Sequence, residues 1–471
     1  MAVAIPEQQT IIKPWPDYLD LLALHAVNPA CYPYLLAGTS QQAIESPQRV
    51  PTDRYDILMA FPQASIELRH DGLHFDEMES TEQHFLSALD DCWQRAGEGH
   101  GPDPAHRDLP FHGGWFIYLG YELAAEVEPT LDLPIDPDSS LPLALATRIP
   151  LAVINDRHTR QSYLVCEKAY LSLLDTAVAD IARLAGQAAE TEGLQVTLQE
   201  DPPDKFVHGV ARVKEYIREG DVFQVNLSRR WQGRTPHEVP ARTVFKLLAN
   251  TNPAPYAGMA CFAHAAIISS SPERLACVKQ DRLETRPIAG TRPRGHDSVT
   301  DRKNLQELIG HPKERAEHVM LIDLERNDLG RVCRPGSVEV NELMVLESYA
   351  HVHHIVSNVR GILKAGCTPG EVIRAVFPGG TITGCPKVRC MEIIAELEQQ
   401  ARGPYTGAMG YLNHNGDMDL NILIRTIVID KDTISFRAGA GLVADSVAEH
   451  ELAETRAKAR GMLLSLQGDA K

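Results

Sequence analysis

The chain has 471 residues, 44% of them hydrophobic and 23% charged, which excludes a disordered or fibrous protein and allows two to four domains or one large composite one. Its formal charge of −17 repels phosphate backbones, so nucleic acid is not expected as a partner, and an anionic substrate must be met by local positive charge. No segment has the ~18–20 uninterrupted apolar residues of a membrane span, residues 1–20 lack the basic start and apolar block of a signal peptide, and the nine scattered cysteines form no C-x-x-C pair. No membrane and a reducing, cytoplasmic location are therefore expected.

In chain order, residues 99–110 and 128–143 are rich in Pro, Gly and Asp and read as loops. Between them, 113–121 (GGWFIYLGY) reads as a buried strand ending in a turn. Residues 141–154 and 160–166 read as strands, and 168–187 as an amphipathic helix. The stretch 190–204 is the expected boundary between residues 1–200 and residues 201–471. It precedes a helix over 205–219 with Asp204 as N-cap. Beyond it, strand signals fall at 221–232, 258–270, 273–279, 282–287, 405–413, 418–430 and 433–439. Helical patterns fall at 237–249, 300–309, 312–325, 387–401 and 446–466. Several strands follow one another directly, which predicts an α+β fold with antiparallel pairing and helices packed outside, rather than a βαβ repeat.

Four features could carry chemistry. In the helix at 312–325, Glu314 and Glu317 stand one turn apart on one face, and in the C-terminal helix Glu451, Glu454 and Lys458 share a face in the same way. Two such pairs of carboxylates could clamp a hard dication such as Mg2+, or could simply be solvated faces. The Gly-rich run 377–387 (FPGGTITGCPK) exposes backbone N–H groups before a helix, as an anion site does, but it has no Walker order. Residues 438–441 (AGAG) follow a strand and would let a ligand approach the backbone. Both are also compatible with ordinary tight turns. In 269–273 (SSSPE), Pro272 stops a strand, and a Glu at that corner can point into a cavity; no G-x-S-x-G elbow supports a nucleophilic serine. In the run 351–354 (HVHH), His351 and His353 face opposite to His354, so no tetrahedral zinc site forms from it alone, and a single histidine reaching a substrate fits better.

Taken together, GDVFQVNLSRR, ISSSPERL, RPIAGTRPRG, PKERAEHVMLIDLERNDLGRV, VHHIVS, FPGGTITGCPKVRCMEII, GPYTGAMGYL, LIRT, AGAGLVADS and ELAETRAKAR resemble the chorismate-utilising enzymes over about residues 205–466. That family includes anthranilate synthase component I, aminodeoxychorismate synthase component I, isochorismate synthase and salicylate synthase. Residues 1–200 resemble, more loosely, the N-terminal subdomain of the amino-transferring members, which makes 201–471 the chorismate-binding catalytic domain. The resemblance implies antiparallel sheets packed face to face with helices outside. It also implies Mg2+ bound directly by Glu317 and Glu454, with Glu314 and Glu451 holding its waters. Glu273 would be the general acid near the departing 4-hydroxyl. Arg425 and Lys458, with the backbone of Gly439 and Gly441, would bind carboxylates, while Thr383, Tyr405 and His354 position the ring.

Within the family, Gln224 stands where water-adding members carry a lysine base. Glutamine cannot take a proton at neutral pH, so ammonia is the expected nucleophile. Ala289 favours anthranilate synthase, because the aminodeoxychorismate synthases often have a lysine there that attacks C2. Asn226, Gly380, the run from Met418 and the replacement of an LLES element by Leu35-Leu36-Ala37-Gly38 favour aminodeoxychorismate synthase component I. The expected reaction converts chorismate and ammonia to 4-amino-4-deoxychorismate for 4-aminobenzoate and folate synthesis, with anthranilate formation as the alternative. No cysteine lies in a G-x-C-x-G nucleophile turn, so a separate glutamine amidotransferase subunit is expected to deliver the ammonia.

Overall fold

Two large antiparallel sheets divide the strands between them in this computed structural model, which describes residues 10–39, 54–97, 106, 108–184, 194–235, 239–295, 297–310, 312–348 and 352–467. His351, most of the expected loop 99–110 and the start of the boundary 190–204 lie outside the described residues. The strands that carry the site are β1 (Gln224–Arg234), β2 (Ala265–Ser271), β3 (Arg274–Lys279), β4 (Ile288–Pro293), β5 (Val352–Ile362), β6 (Met418–Ile422), β7 (Thr426–Asp430) and β8 (Thr433–Leu442). The helices are α1 (Pro312–Val332), α2 (Lys387–Glu398) and α3 (Ala448–Gln467).

The first sheet runs Thr10–Trp15, Gln161–Glu167, Leu151–Asp156, Tyr55–Ala60, Tyr34–Ala37, Tyr256–Cys261, β2, β7, β8, β1 and Gln199–Glu200. The second runs β4, β5, Arg282–Thr285, β3, β6, Ala408–Asn413, Gly114–Leu119, Ala144–Ile149, Ser65–Arg69 and Gly72–Asp76. Strands from before and after residue 200 share both sheets, so the expected boundary divides the chain but neither sheet.

Alternation along the strands builds three apolar layers. Ile267 and Phe116 point inward with Met59, Tyr118 and Met409 to form the core between the sheets, where Tyr34 and Phe116 stack at 3.9 Å. Their neighbours point outward. Ile268 meets Phe245 and Met462 from covering helices, and Ile117 meets Leu89, Val372 and Ile373 from others. Each such aliphatic side chain contributes about 1.5–3 kcal/mol by leaving water.

The expected α+β class and antiparallel pairing are what the structure has; several boundaries differ. The helix expected over 205–219 starts at Pro203, with Pro202 as N-cap and Asp204 inside the first turn, because proline at N1 needs no donor there. The stretch 258–270 is a hairpin, Tyr256–Cys261 with β2. The stretch 418–430 is two strands in different sheets, β6 and β7. Apolar Leu423 and Ile424 carry the hydrophobic pattern through the crossing and hide it. Helix α1 runs on to Val332, and the helix Pro369–Val376 has a capping box from Thr368 and Glu371.

Candidate active site

The chain crosses between the sheets twice at neighbouring corners, and each corner presents one charged side chain. Strand β2 ends in the first sheet, Pro272 interrupts pairing, and β3 begins in the second, leaving Glu273 on the crossing. The return crossing joins β6 to β7 and carries Arg425. Backbone bonds lock the corners together: Ile422 N–H donates to the Glu273 carbonyl at 3.0 Å, and Ser270 N–H to that of Arg425 at 3.1 Å. They hold Arg425 in the left-handed region, at φ 51°, which costs an ordinary L-residue about 1–2 kcal/mol.

Glu273 is 6% exposed. Burial pushes its carboxyl from 4.5 up to about 7, against the opposing pull of the Thr381 hydroxyl, the Ile288 backbone N–H, Lys458 and Arg425. Its Oε1 has no hydrogen-bond partner among the described residues. A carboxyl so placed holds a proton near neutral pH and can give it away. Burial pulls the pKa of the Arg425 guanidinium below its usual range, and the charge of Glu273 opposes the change.

His354 lies on β5 and is buried, with Nδ1 2.8 Å from Thr291 Oγ1. Burial, then Arg425 and His353, pushes it down to about 3, so the ring is neutral. A neutral imidazole positions a ligand and does not act as an acid. His353, on the opposite face, has Nε2 2.9 Å from Asp301 and Nδ1 2.7 Å from Ser348 Oγ.

The opposite wall comes from β1 and β8, where Asn226 pairs with Gly441 and Ser228 with Gly439. A Cβ on Gly439 would stand 2.8 Å from each of Asn226 Oδ1, the Leu227 carbonyl and the Tyr405 hydroxyl; one on Gly441 would stand 2.6 Å from Gln224 Nε2. Only glycine lets these side chains lie across β8. Burial raises Tyr405 to about 12, so its hydroxyl keeps its proton. Lys458 Nζ, from α3, donates to the Gly439 carbonyl at 3.1 Å.

Thr383 is fully buried, with its hydroxyl donating to the Gly379 carbonyl at 2.9 Å. The threonine beside Glu273 is Thr381, on the turn Gly380–Ile382. A second buried carboxyl, Glu325 of α1, is pushed up by burial and by Asp328, with Glu273 adding to the rise and Lys387 opposing it. Asp328 itself is paired with Lys387 at 2.6 Å. In sequence Glu325 sits among Asp323, Arg326 and Asp328 and reads as part of a solvated face.

The four glutamates expected around a metal are distributed over α1 and α3. Glu314 pairs with Arg292 at 2.7 Å and Glu454 with Lys458 at 2.8 Å; Glu451 is buried and Glu317 half-buried. Among the described residues no three His, Cys, Asp or Glu side chains are grouped closely enough to hold a metal ion. The donor chemistry suits a hard dication, being all oxygen with two carboxylates a turn apart on each helix. Binding would require Glu314 and Glu454 to exchange their own cations for the metal. Among the described residues no helix is long and apolar enough to cross a membrane. A cavity of about 320 Å³ between the sheets, lined by Leu36, Gly38, Tyr256, Met409 and Asp419, contains none of the candidate residues.

The model of the chorismate binding enzyme family matches residues 23–464. The chain is 41% identical over 431 residues to aminodeoxychorismate synthase component 1 of Bacillus subtilis, covering 88% of this chain and 89% of that one. It is 40% identical over 375 residues to anthranilate synthase component 1 of Thermus thermophilus, covering 78% and 80%. The crystal structure of anthranilate synthase component I from Streptococcus pneumoniae superposes with a TM-score of 0.77 at 30% identity, covering 90% and 94%. The menaquinone-specific isochorismate synthase from Escherichia coli shares the fold, with a TM-score of 0.69 at 18% identity.

Proposed function

This chain belongs to the chorismate-binding enzymes and acts on chorismate, and from that premise we propose that it is aminodeoxychorismate synthase component I. Chorismate and ammonia become 4-amino-4-deoxychorismate and water. Glu273 carries this reading: a carboxyl that burial raises to about 7, with the charges of Lys458 and Arg425 acting against the rise. Chorismate is a dianion whose allylic hydroxide leaves poorly. Arg425 and Lys458 bind carboxylate, and Glu273 protonates the hydroxyl so that it leaves as water. His354 and the Tyr405 hydroxyl hold the ring with neutral hydrogen-bonding groups.

Mg2+, held by Glu317 and Glu454 with Glu314 and Glu451 on its waters, would supply positive charge at the ring carboxylate and withdraw electrons from the diene. Gln224 supports ammonia over water as nucleophile, since it offers no base. Asn226 and Gly380 support the C4-amino product over anthranilate. The chain has no glutaminase nucleophile turn, which supports a separate glutamine amidotransferase subunit as the source of ammonia in a cytoplasmic enzyme.

The test is turnover of the purified chain with chorismate and Mg2+, comparing ammonium salt with glutamine and assaying pyruvate. The expected result is consumption with ammonium alone and no pyruvate released. Stoichiometric pyruvate would make the chain an anthranilate synthase component, and equal use of glutamine would remove the need for a partner.

A further inference from the structure

Gln224 and Asn226 stand two residues apart on β1, so their side chains leave the strand on the same face. Both reach over β8: Gln224 Nε2 lies 2.6 Å and Asn226 Oδ1 2.8 Å from the points where Cβ atoms on Gly441 and Gly439 would stand. Gln224 is only 7% exposed. The carbonyl oxygens of both side chains, Gln224 Oε1 and Asn226 Oδ1, are buried with no hydrogen-bond donor among the described residues. A buried amide oxygen left without a donor is destabilising, because it has lost its hydrogen bonds to water and gained none. Two on one wall select a small ligand with several N–H or O–H bonds to give.

The surroundings tie this pair to the reacting centre. Asn226 Nδ2 donates to the Thr381 carbonyl at 3.5 Å, and the Thr381 side chain adjoins Glu273. The Tyr405 hydroxyl lies 2.8 Å from the same Gly439 point as Asn226 Oδ1, and Lys458 holds the Gly439 carbonyl.

We propose that Gln224 Oε1 and Asn226 Oδ1 form the seat of the nitrogen nucleophile, holding neutral ammonia by two N–H bonds with its lone pair free for the ring. Two carbonyl acceptors orient ammonia without protonating it, which keeps the lone pair available. The lone pair forms the new C–N bond as the C–O bond breaks and the oxygen takes the Glu273 proton, leaving as water. The new ammonium group then returns one proton to the Glu273 carboxylate, so chorismate and ammonia give the amine and water with no other reactant. This seat rests on the aminating function proposed above.

The experiment is steady-state kinetics of the full chain with ammonium chloride varied at saturating chorismate and Mg2+. Asn226→Val keeps a β-forming side chain of similar size and removes the acceptor. It should raise the KM for ammonium about tenfold, the effect of one hydrogen bond, and leave the KM for chorismate within about twofold. Asn226→Ser, which keeps an acceptor oxygen, should fall between and serves if the valine variant does not fold. An unmoved ammonium KM in a folded variant that still aminates, or an equal rise in both KM values, overturns the seat. Wild-type chain that forms no aminated product at any ammonium concentration overturns the aminating function instead.

Discussion

Glu273→Gln should make the protein more stable and nearly inactive at the same time. The carboxyl is buried and raised from 4.5 to about 7. Below about pH 4.5 the folded and unfolded chains both hold this proton, and the site costs nothing. Between 4.5 and about 7 the unfolded chain releases it while the folded chain keeps it, so stability falls as pH rises. Above about 7 the loss is complete. At about 1.4 kcal/mol for each tenfold step in acidity, the rise corresponds to about 3 kcal/mol. Glutamine is neutral throughout and does not incur this loss. Thermal unfolding of both proteins between about pH 4 and about pH 8 reads it directly. The two should coincide at the acid end, and the variant should melt higher at the alkaline end. Its turnover should fall by about 10²–10⁴-fold, the contribution of a general acid. Melting curves that stay parallel across that range would refute the burial argument, and turnover within tenfold of wild type would refute the acid assignment.

Glu454→Gln removes a formal charge from the proposed metal shell and should weaken Mg2+ binding at least about tenfold by calorimetric titration. Glu273→Gln should leave that affinity unchanged, and equal losses would mean that ligand and acid have been exchanged. Glu398 accepts from Arg402 at 2.6 Å, Arg437 at 2.8 Å and the Ser228 hydroxyl at 2.8 Å in a fully buried cluster. Glu398→Ala leaves two buried guanidinium groups unpaired and should cost about 3–5 kcal/mol in denaturant unfolding; a loss below about 1 kcal/mol would contradict the pairing. Gly439→Ala drives a methyl group to 2.8 Å from the Leu227 carbonyl and Asn226 Oδ1. It should cost about 1–3 kcal/mol of stability and most of the activity, and full activity would show that the β1–β8 wall can give.

Features with a local cause were legible in the sequence. Pro272 announces the end of β2, so Glu273 could be read as a corner residue, and helical period alone puts Glu314 with Glu317 and Glu451 with Glu454. The antiparallel class followed from strands that succeed one another directly. Arg425 could be named by resemblance, but its corner could not be seen, because Leu423 and Ile424 continue the apolar pattern across the crossing. The interleaving of the two halves had no local trace either. It depends on pairs such as Tyr34–Ala37 with Tyr256–Cys261, and Gly114–Leu119 with Ala408–Asn413, which are brought together only by the finished sheets. Thr381 and Thr383 are equivalent in sequence, and only the fold decides which hydroxyl faces Glu273. Glu325 reads as solvated because its neighbours are charged, yet α1 packs it inward together with Asp328.

Amination of chorismate at C4 is read from the product made with chorismate, Mg2+ and 15N-labelled ammonium. Nuclear magnetic resonance of that product should place the nitrogen on C4 of a ring that still carries its enolpyruvyl ether. Nitrogen on C2 of an aromatic ring, with the enolpyruvyl group lost as pyruvate, would rule out amination at C4.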